Sequence, residues 1–292
     1  MNRHTIQKEE NTMREITCQA VIELVEKLCV EAATRLPEDL CHVICAAEQK
    51  EESPVGRAIL QDIRENYEMA REKGVPICQD TGMAVIFLEV GQDVHITGGN
   101  LNEAVNEGVR RGYVNGFLRC SVVSDPLKRV NSGDNTPAVI HTEIVPGDQL
   151  TITVAPKGFG SENMSAMKMF TPAATWENIR DYIVSWVETA GSNPCPPIVV
   201  GIGLGGTLEQ CALEAKKALL MPMDRPNPDP FYGEKEQELL DKINDLGIGP
   251  QGMGGRVTAL AVHIRPYATH IAGLPCAINM SCHATRHAKG VL

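Results

Sequence analysis

No run of apolar residues in these 292 positions approaches the roughly 18–20 that a membrane-spanning helix requires. None of the ten cysteines forms a CxxC pair, which excludes ferredoxin-type spacing and the usual zinc ribbons. Basic residues are in deficit, 27 Lys and Arg against 37 Asp and Glu. The resulting net charge of −10 argues against a nucleic-acid surface, which needs clustered cations to meet phosphates. The same charge cannot steer an anionic substrate from a distance, so an anion must be held by locally placed Arg, His and backbone N–H groups. The stretch Met1 to Asn11 has neither the apolar core of a signal peptide nor the acid-poor character of a transit peptide. A cytoplasmic location and no membrane partner are expected.

A hydrophobic content of 43% with 22% charged residues is ordinary for a soluble globular chain, so a buried core is available. Ten cysteines without a secretion signal fit a reducing compartment rather than a disulfide scaffold. Apolar residues recur at helical spacing from Ile16 to Glu48, with Leu36-Pro37-Glu38-Asp39 marking a second helix start. Ser53 and Pro54 predict the N-terminus of a third helix and Gly74 its stop. Strands are expected at Met83 to Val90, Val94 to Thr97, Ile198 to Ile202, Val257 to Ile264 and Ala277 to Met280. Ala138 to Val145, Pro146-Gly147-Asp148 and Leu150 to Ala155 read as a hairpin or sharp strand reversal. Helices are expected at Asn100 to Tyr113, Trp176 to Ala190, Leu208 to Leu220 and Glu234 to Leu246, with a Pro-rich connector at Met221 to Pro230. This interspersion predicts an α/β fold: a single compact domain with a helical N-terminal section and a mixed sheet.

Several short stretches carry residues that a core does not need. Cys78-Gln79-Asp80-Thr81-Gly82 places a thiol, an amide, a carboxylate and a hydroxyl in one loop. Read alone, Asp and Thr are also ordinary turn formers and a lone Cys is ordinary core. Cys195 stands among three prolines in Asn193-Pro194-Cys195-Pro196-Pro197, a rigid backbone suited to holding a ligand or simply a stiff connector. Gly201-Ile202-Gly203-Leu204-Gly205-Gly206 approaches a dinucleotide fingerprint, but its spacing departs from the pattern. A strand–turn–helix junction that uses Gly for φ > 0 is the simpler reading. The segment from His270 to His287 is dense in His, Cys and Arg, poor core material and good site material. Gly-rich turns at Lys157 to Asn163 and Gly249 to Gly255 add backbone N–H groups. Cys41 and Cys45, four apart on a helix, read as core.

Cys78-Gln79-Asp80-Thr81-Gly82, Asn131-Ser132-Gly133-Asp134-Asn135-Thr136-Pro137-Ala138, Lys157-Gly158-Phe159-Gly160-Ser161, Asn193-Pro194-Cys195-Pro196-Pro197 and Gly247-Ile248-Gly249-Pro250-Gln251-Gly252 occur in the order seen in the class I, iron–sulfur-dependent fumarate hydratases. The chain resembles the α subunit of the two-subunit form over residues 13–292, and is also similar to L-tartrate dehydratase α subunits. Residues 1–12 are expected to be a disordered extension, with Met13 as the family-like start. The resemblance implies a [4Fe–4S] cluster on Cys78, Cys195 and Cys282. Three thiolates leave one iron open as a Lewis acid, where four would close the cluster into an electron carrier. Cys276 is the competing neighbour of Cys282 and is expected in the core.

By the same resemblance Gln79 and Asp80 contact substrate, with Asp80 as acid/base. Arg119 clamps a carboxylate through paired hydrogen bonds. Gly160 offers a backbone N–H, and His270, twelve residues before Cys282, donates to a carboxylate. Phe159 stands where relatives often have Gly. Leu292 lies ten residues beyond Cys282, whereas fused family members continue into a swivelling domain. A separate β subunit carrying that domain is therefore expected, together with an α–α dimer and a small C4 dicarboxylate substrate.

The implied reaction is the reversible hydration of fumarate to malate, a step of the tricarboxylic acid cycle. Tartrate or mesaconate are the alternative substrates. A non-catalytic iron–sulfur sensor, and a nicotinamide dehydrogenase built on Gly201 to Gly206, are the readings from other classes.

Overall fold

The computed structural model describes residues 13–292. The expected extension over 1–12 lies outside the described residues. In chain order the elements are β1 (Arg14–Thr17), α1 (Cys18–Thr34), α2 (Glu38–Lys50), α3 (Pro54–Lys73), β2 (Met83–Gly91) and β3 (Val94–Thr97). Then come α4 (Leu101–Asn115), β4 (Val139–Val145), β5 (Leu150–Lys157), α5 (Phe159–Glu162), β6 (Ala166–Phe170) and α6 (Trp176–Ala190). The remainder is β7 (Ile198–Gly205), α7 (Leu208–Ala218), α8 (Pro230–Asn244), a 3-10 turn at Pro250–Gly252, β8 (Ala259–Tyr267), β9 (Leu274–Ser281) and β10 (Ala288–Val291). The fold is α/β with mixed sheets. Among the described residues, no helix is long and apolar enough to cross a membrane.

Contacts group the chain into two compact units. Of the described residues, the first comprises 13–31, Met83–Ala155 and Ala288–Leu292; the second comprises Ala32–Gly82 and Pro156–His287.

In the first unit the sheet order is β10-β5-β2-β4, with β4 parallel to β2 and β10 antiparallel to β5. Of the two readings of the segment around Pro146-Gly147-Asp148, a hairpin or a sharp strand reversal, the hairpin is not formed. β4 and β5 stand on opposite sides of β2, the most apolar strand of this sheet, whose residues from Ala84 to Leu88 are all buried. Burying such a strand on both edges satisfies its N–H and C=O groups, which a β4–β5 hairpin would not do. The connecting loop crosses the end of β2 at Gly91, where an added Cβ would lie 2.4 Å from the Gly147 carbonyl oxygen. Arg14–Thr17, expected to run into the first helix, is a short strand paired in parallel with Val94–Thr97, and the helix begins at Cys18.

In the second unit the sheet order is β6-β9-β7-β8, with β7 parallel to β8 and antiparallel to β9. Side chains alternate across a strand, so β7 serves two cores. Ile198, Val200 and Ile202 pack with α6 and α8 residues such as Ile183 and Leu239. Val199 faces the cluster of Leu40, Ile44 and Leu60 from α2 and α3. α3 is capped as expected: Ser53 Oγ accepts the Gly56 N–H at 3.2 Å and Gly74 ends the helix at φ 64°.

Gly201 and Gly203 share the Val199 face, and α7 lies directly on them. An added Cβ would be 2.2 Å from the Ala215 oxygen at Gly201 and 2.0 Å from the Cys211 oxygen at Gly203. The strand runs on through Gly205, and Gly205 and Gly206 have φ of 92° and 73°. These glycines thus permit helix-on-strand contact and a sharp exit.

Candidate active site

β7 and β9 bring two distant cysteines to one end of the second unit's sheet. Cys195 lies three positions before β7 and Cys282 directly follows β9, while Val199 pairs with Ser281. Cys195 is exposed and has φ of 56°, a left-handed conformation that a Cβ-bearing residue adopts at a cost of about 1–2 kcal/mol. The surrounding loop holds it there. Gln251, from the Gly-rich turn, gives both its backbone N–H and its side-chain N–H to the Pro196 carbonyl, each at 2.7 Å. His283 Nδ1 lies 3.3 Å from the Cys195 oxygen.

Cys78 arrives on the loop after α3. Ile77 N–H donates to the Ala33 oxygen at 3.0 Å, and Asn66 Nδ2 donates to the Ile77 oxygen at 2.9 Å. The Asp80 N–H lies 3.4 Å from Cys78 Sγ. Arg286, buried and four residues beyond Cys282, donates from Nη2 to the Asp80 carbonyl and ties this loop to the Cys282 turn.

The three thiols act on one another electrostatically. Burial first, then Cys282, Cys78 and Asp80, push the Cys195 thiol up. Burial likewise raises the Cys282 thiol, with Cys78 adding to it and the charges of Arg286 and Lys157 opposing it. Two cations thus lie near Cys282 in a chain whose net charge is −10. Cys276 is fully buried in the core, and burial pushes its thiol far above the ordinary value.

The Asp80 carboxylate is oriented by main chain: Gly82 N–H donates to Oδ1 and Phe159 N–H to Oδ2, both at 2.9 Å. Phe159 and Gly160 open α5, the turn that follows Lys157. That turn is braced from beneath. Lys157 Nζ donates to Ser161 Oγ at 2.9 Å and pairs with Glu162 at 3.3 Å; Glu162 also pairs with Lys216 at 2.7 Å and accepts from Asn279 at 2.8 Å. Burial pulls the Lys157 ammonium down to about 8, against the opposing pull of Glu162. An added Cβ at Gly160 would lie 3.6 Å from the Asn193 oxygen, so this turn abuts the Cys195 loop.

Cys78, Gln79, Asp80, Gly160, Cys195 and Cys282 are thereby gathered in one unit. His270 is not with them. It sits exposed in the loop before β9, with Nδ1 accepting from Ala272 N–H at 3.1 Å. Cys282 lies beyond the other end of this eight-residue strand, roughly 25 Å away at about 3.3 Å per residue. Closeness in sequence is misleading here because an intervening strand is fully extended. The Gly205-Gly206 turn is at that same far end, where Gly206 N–H donates to the Ala268 oxygen.

Arg119 belongs to the first unit, exposed on the segment after α4. That segment is pinned by a loop the sequence singled out: Asn131 Nδ2 donates to the Cys120 oxygen at 2.9 Å, and buried Asn135 accepts the Ser121 N–H at 2.7 Å. Sequence reasoning did not single out Lys157, Glu162, Gln251 or Arg286 as individual residues. Each lay inside or beside a quoted motif, but pairings of such sequence separation leave no periodic signal.

Three thiols beside a main-chain-held carboxylate and buried cations define a site for polar chemistry rather than a nucleotide-binding cleft. The family model described as Fumarate hydratase (Fumerase) matches residues 22–291, and the chain belongs to that family. It is a hydro-lyase of the fumarate hydratase and tartrate dehydratase type. It is 40% identical over 274 residues to the putative L(+)-tartrate dehydratase subunit alpha of Methanocaldococcus jannaschii, covering 92% of this chain and 96% of that protein. It is 31% identical over 274 residues to the L(+)-tartrate dehydratase subunit alpha of Escherichia coli strain UTI89, covering 92% and 89%.

Proposed function

We propose that this chain is the α subunit of a hydro-lyase that reversibly hydrates fumarate to malate, with a [4Fe–4S] cluster held by Cys78, Cys195 and Cys282. The observation that carries this reading is the convergence of those three thiols beside Asp80. Among the described residues, no group of three His, Cys, Asp or Glu side chains is placed to hold a metal ion. All three cysteines are free, and Arg286 and Lys157 offset negative charge at Cys282. When bound, such a cluster supplies one open iron that acts as a Lewis acid on substrate oxygen.

The chain's own residues then orient substrate and move a proton. Asp80 retains lone pairs beyond those taken by Gly82 and Phe159 and exchanges a proton at its carboxylate. The Gln79 amide and the Gly160 N–H orient the diacid. The "subunit alpha" names of the relatives support a separate β subunit; that this β subunit carries the swivel domain and that α chains pair as a dimer belong to the same proposal. A cytoplasmic location is part of the same proposal. L(+)-tartrate is the second substrate reading, favoured by the names of the two relatives.

The test is anaerobic purification with the β subunit, iron and sulfide analysis, and steady-state rates on fumarate, L(+)-tartrate and mesaconate. The expected result is a cluster in the wild type, its loss in C78S, C195S and C282S, and the highest kcat/KM on fumarate. A cluster retained in any of the three serine variants overturns the ligand set. A preference for tartrate overturns the substrate.

A further inference from the structure

Arg286 is a buried guanidinium, 5% exposed, that uses one Nη2 donor on a neutral carbonyl, that of Asp80. Its Nε is buried and has no hydrogen-bond partner. A buried N–H without a partner forfeits the hydrogen bond it had in water, and the loss is larger for a charged group. Such a group in a native fold calls for an explanation. A surface role does not supply one, and gripping a carbonyl needs no positive charge.

Position supplies one. The side chain leaves the backbone four residues after Cys282, and its tip reaches the carbonyl two residues after Cys78. It therefore spans two of the three proposed ligands. Its guanidinium is thereby fixed between the Cys78 loop and the Cys282 turn. Lys157, the other buried cation of this site, is occupied by Glu162 and Ser161. Three thiolates gathered in a partly buried pocket are costly without a counter-charge.

We infer that Arg286 is the buried counter-cation of this thiol site, with its Nε–H available to cluster sulfur, so that it sets the cluster's reduction potential and its retention of iron. This rests on the cluster reading given above. Arg286 is a positioning residue by this account, acting on substrate only through the group it faces. Positive charge and hydrogen bonds at sulfur stabilise the more negative, reduced state. Removing them moves the potential in the negative direction.

The experiment compares wild type, R286Q and R286K, each purified anaerobically with the β subunit. The readouts are iron and sulfide content, the midpoint potential from a spin-resonance-monitored reductive titration, and the rate of iron loss in air. R286Q is expected to titrate at a more negative potential and to lose iron several-fold faster. R286K, which keeps the charge, is expected to fall between R286Q and wild type. A loaded R286Q with unchanged potential overturns the inference alone. If R286Q holds no cluster, R286K decides: a loaded R286K supports the role of charge, and an equally empty one overturns it. A wild type without a cluster overturns both this inference and the reading beneath it.

Discussion

Asp80 and Phe159 are 79 residues apart in sequence, and the Phe159 N–H meets Asp80 Oδ2 at 2.9 Å. Because this bond uses main chain at Phe159, it does not depend on the side chain there. A bulky side chain is accommodated at this position because the ring is half exposed while the N–H does the positioning. The carboxylate gains a fixed direction from a turn that Lys157, Glu162 and Lys216 brace from below.

Asp80→Asn should separate proton transfer from architecture. An amide accepts one of the two backbone N–H groups but presents its own N–H to the other. We expect kcat to fall on the order of 100- to 10,000-fold, the usual worth of a general acid or base. Cluster content should stay at the wild-type level, measured as iron and sulfide per chain. Loss of less than threefold in kcat would remove Asp80 from the proton-transfer role.

Gly203→Ala should destabilise the second unit without touching the thiols. The new methyl would stand 2.0 Å from the Cys211 carbonyl oxygen, a backbone atom that cannot swing aside. Overpacking of this kind costs about 3 kcal/mol. Urea unfolding of the apo-protein, read by circular dichroism, measures it. An unchanged midpoint would mean that α7 is not seated on β7 as described.

Acid should unfold the chain in part through Glu51. Burial opposes ionisation of this carboxylate, 2% exposed, but the N–H groups of Arg256, Ser53 and Val257 outweigh burial and hold it below the ordinary 4.5. A carboxyl whose folded value is depressed contributes stability that is present above about pH 4.5 and is lost as pH falls through the folded value. Glu162, held down by Lys157 and Lys216 against burial, adds in the same direction. Glu51→Gln should cost about 2 kcal/mol at pH 7, as befits hydrogen bonds to a charged group. Its stability should also fall less than the wild type's below pH 4.5. Urea midpoints at a series of pH values check both, and parallel wild-type and variant curves would sink the assignment.

Much of the fold was legible because local chemistry wrote it. Ser53, Pro54 and Gly74 mark α3 at both ends, and Trp176 to Ala190 shows its helical face in spacing alone. Short strands with little hydrophobic pattern, Arg14–Thr17 and Ala288–Val291, were not legible. Each owes its existence to a partner strand far away in sequence, Val94–Thr97 and Leu150–Lys157 respectively. At Pro146 to Asp148, read as a hairpin or a sharp strand reversal, the turn chemistry was correct, but β2 took the place between the two strands. Turn residues specify that a chain reverses and not which strand it then meets.

By itself the sequence determined the α/β texture, the lack of an apolar run long enough to cross a membrane in these 292 residues, and the motif order that marks the family. Tertiary structure alone decided which of those motifs stand together. It put Cys195 and Cys282 at one end of paired strands and His270 at the other, because an extended strand turns a short separation in sequence into a long distance in space. It also placed Lys157, Glu162 and Arg286 beneath the site. A buried charge is stable only beside partners that the chain brings back from elsewhere, and that return has no local signature.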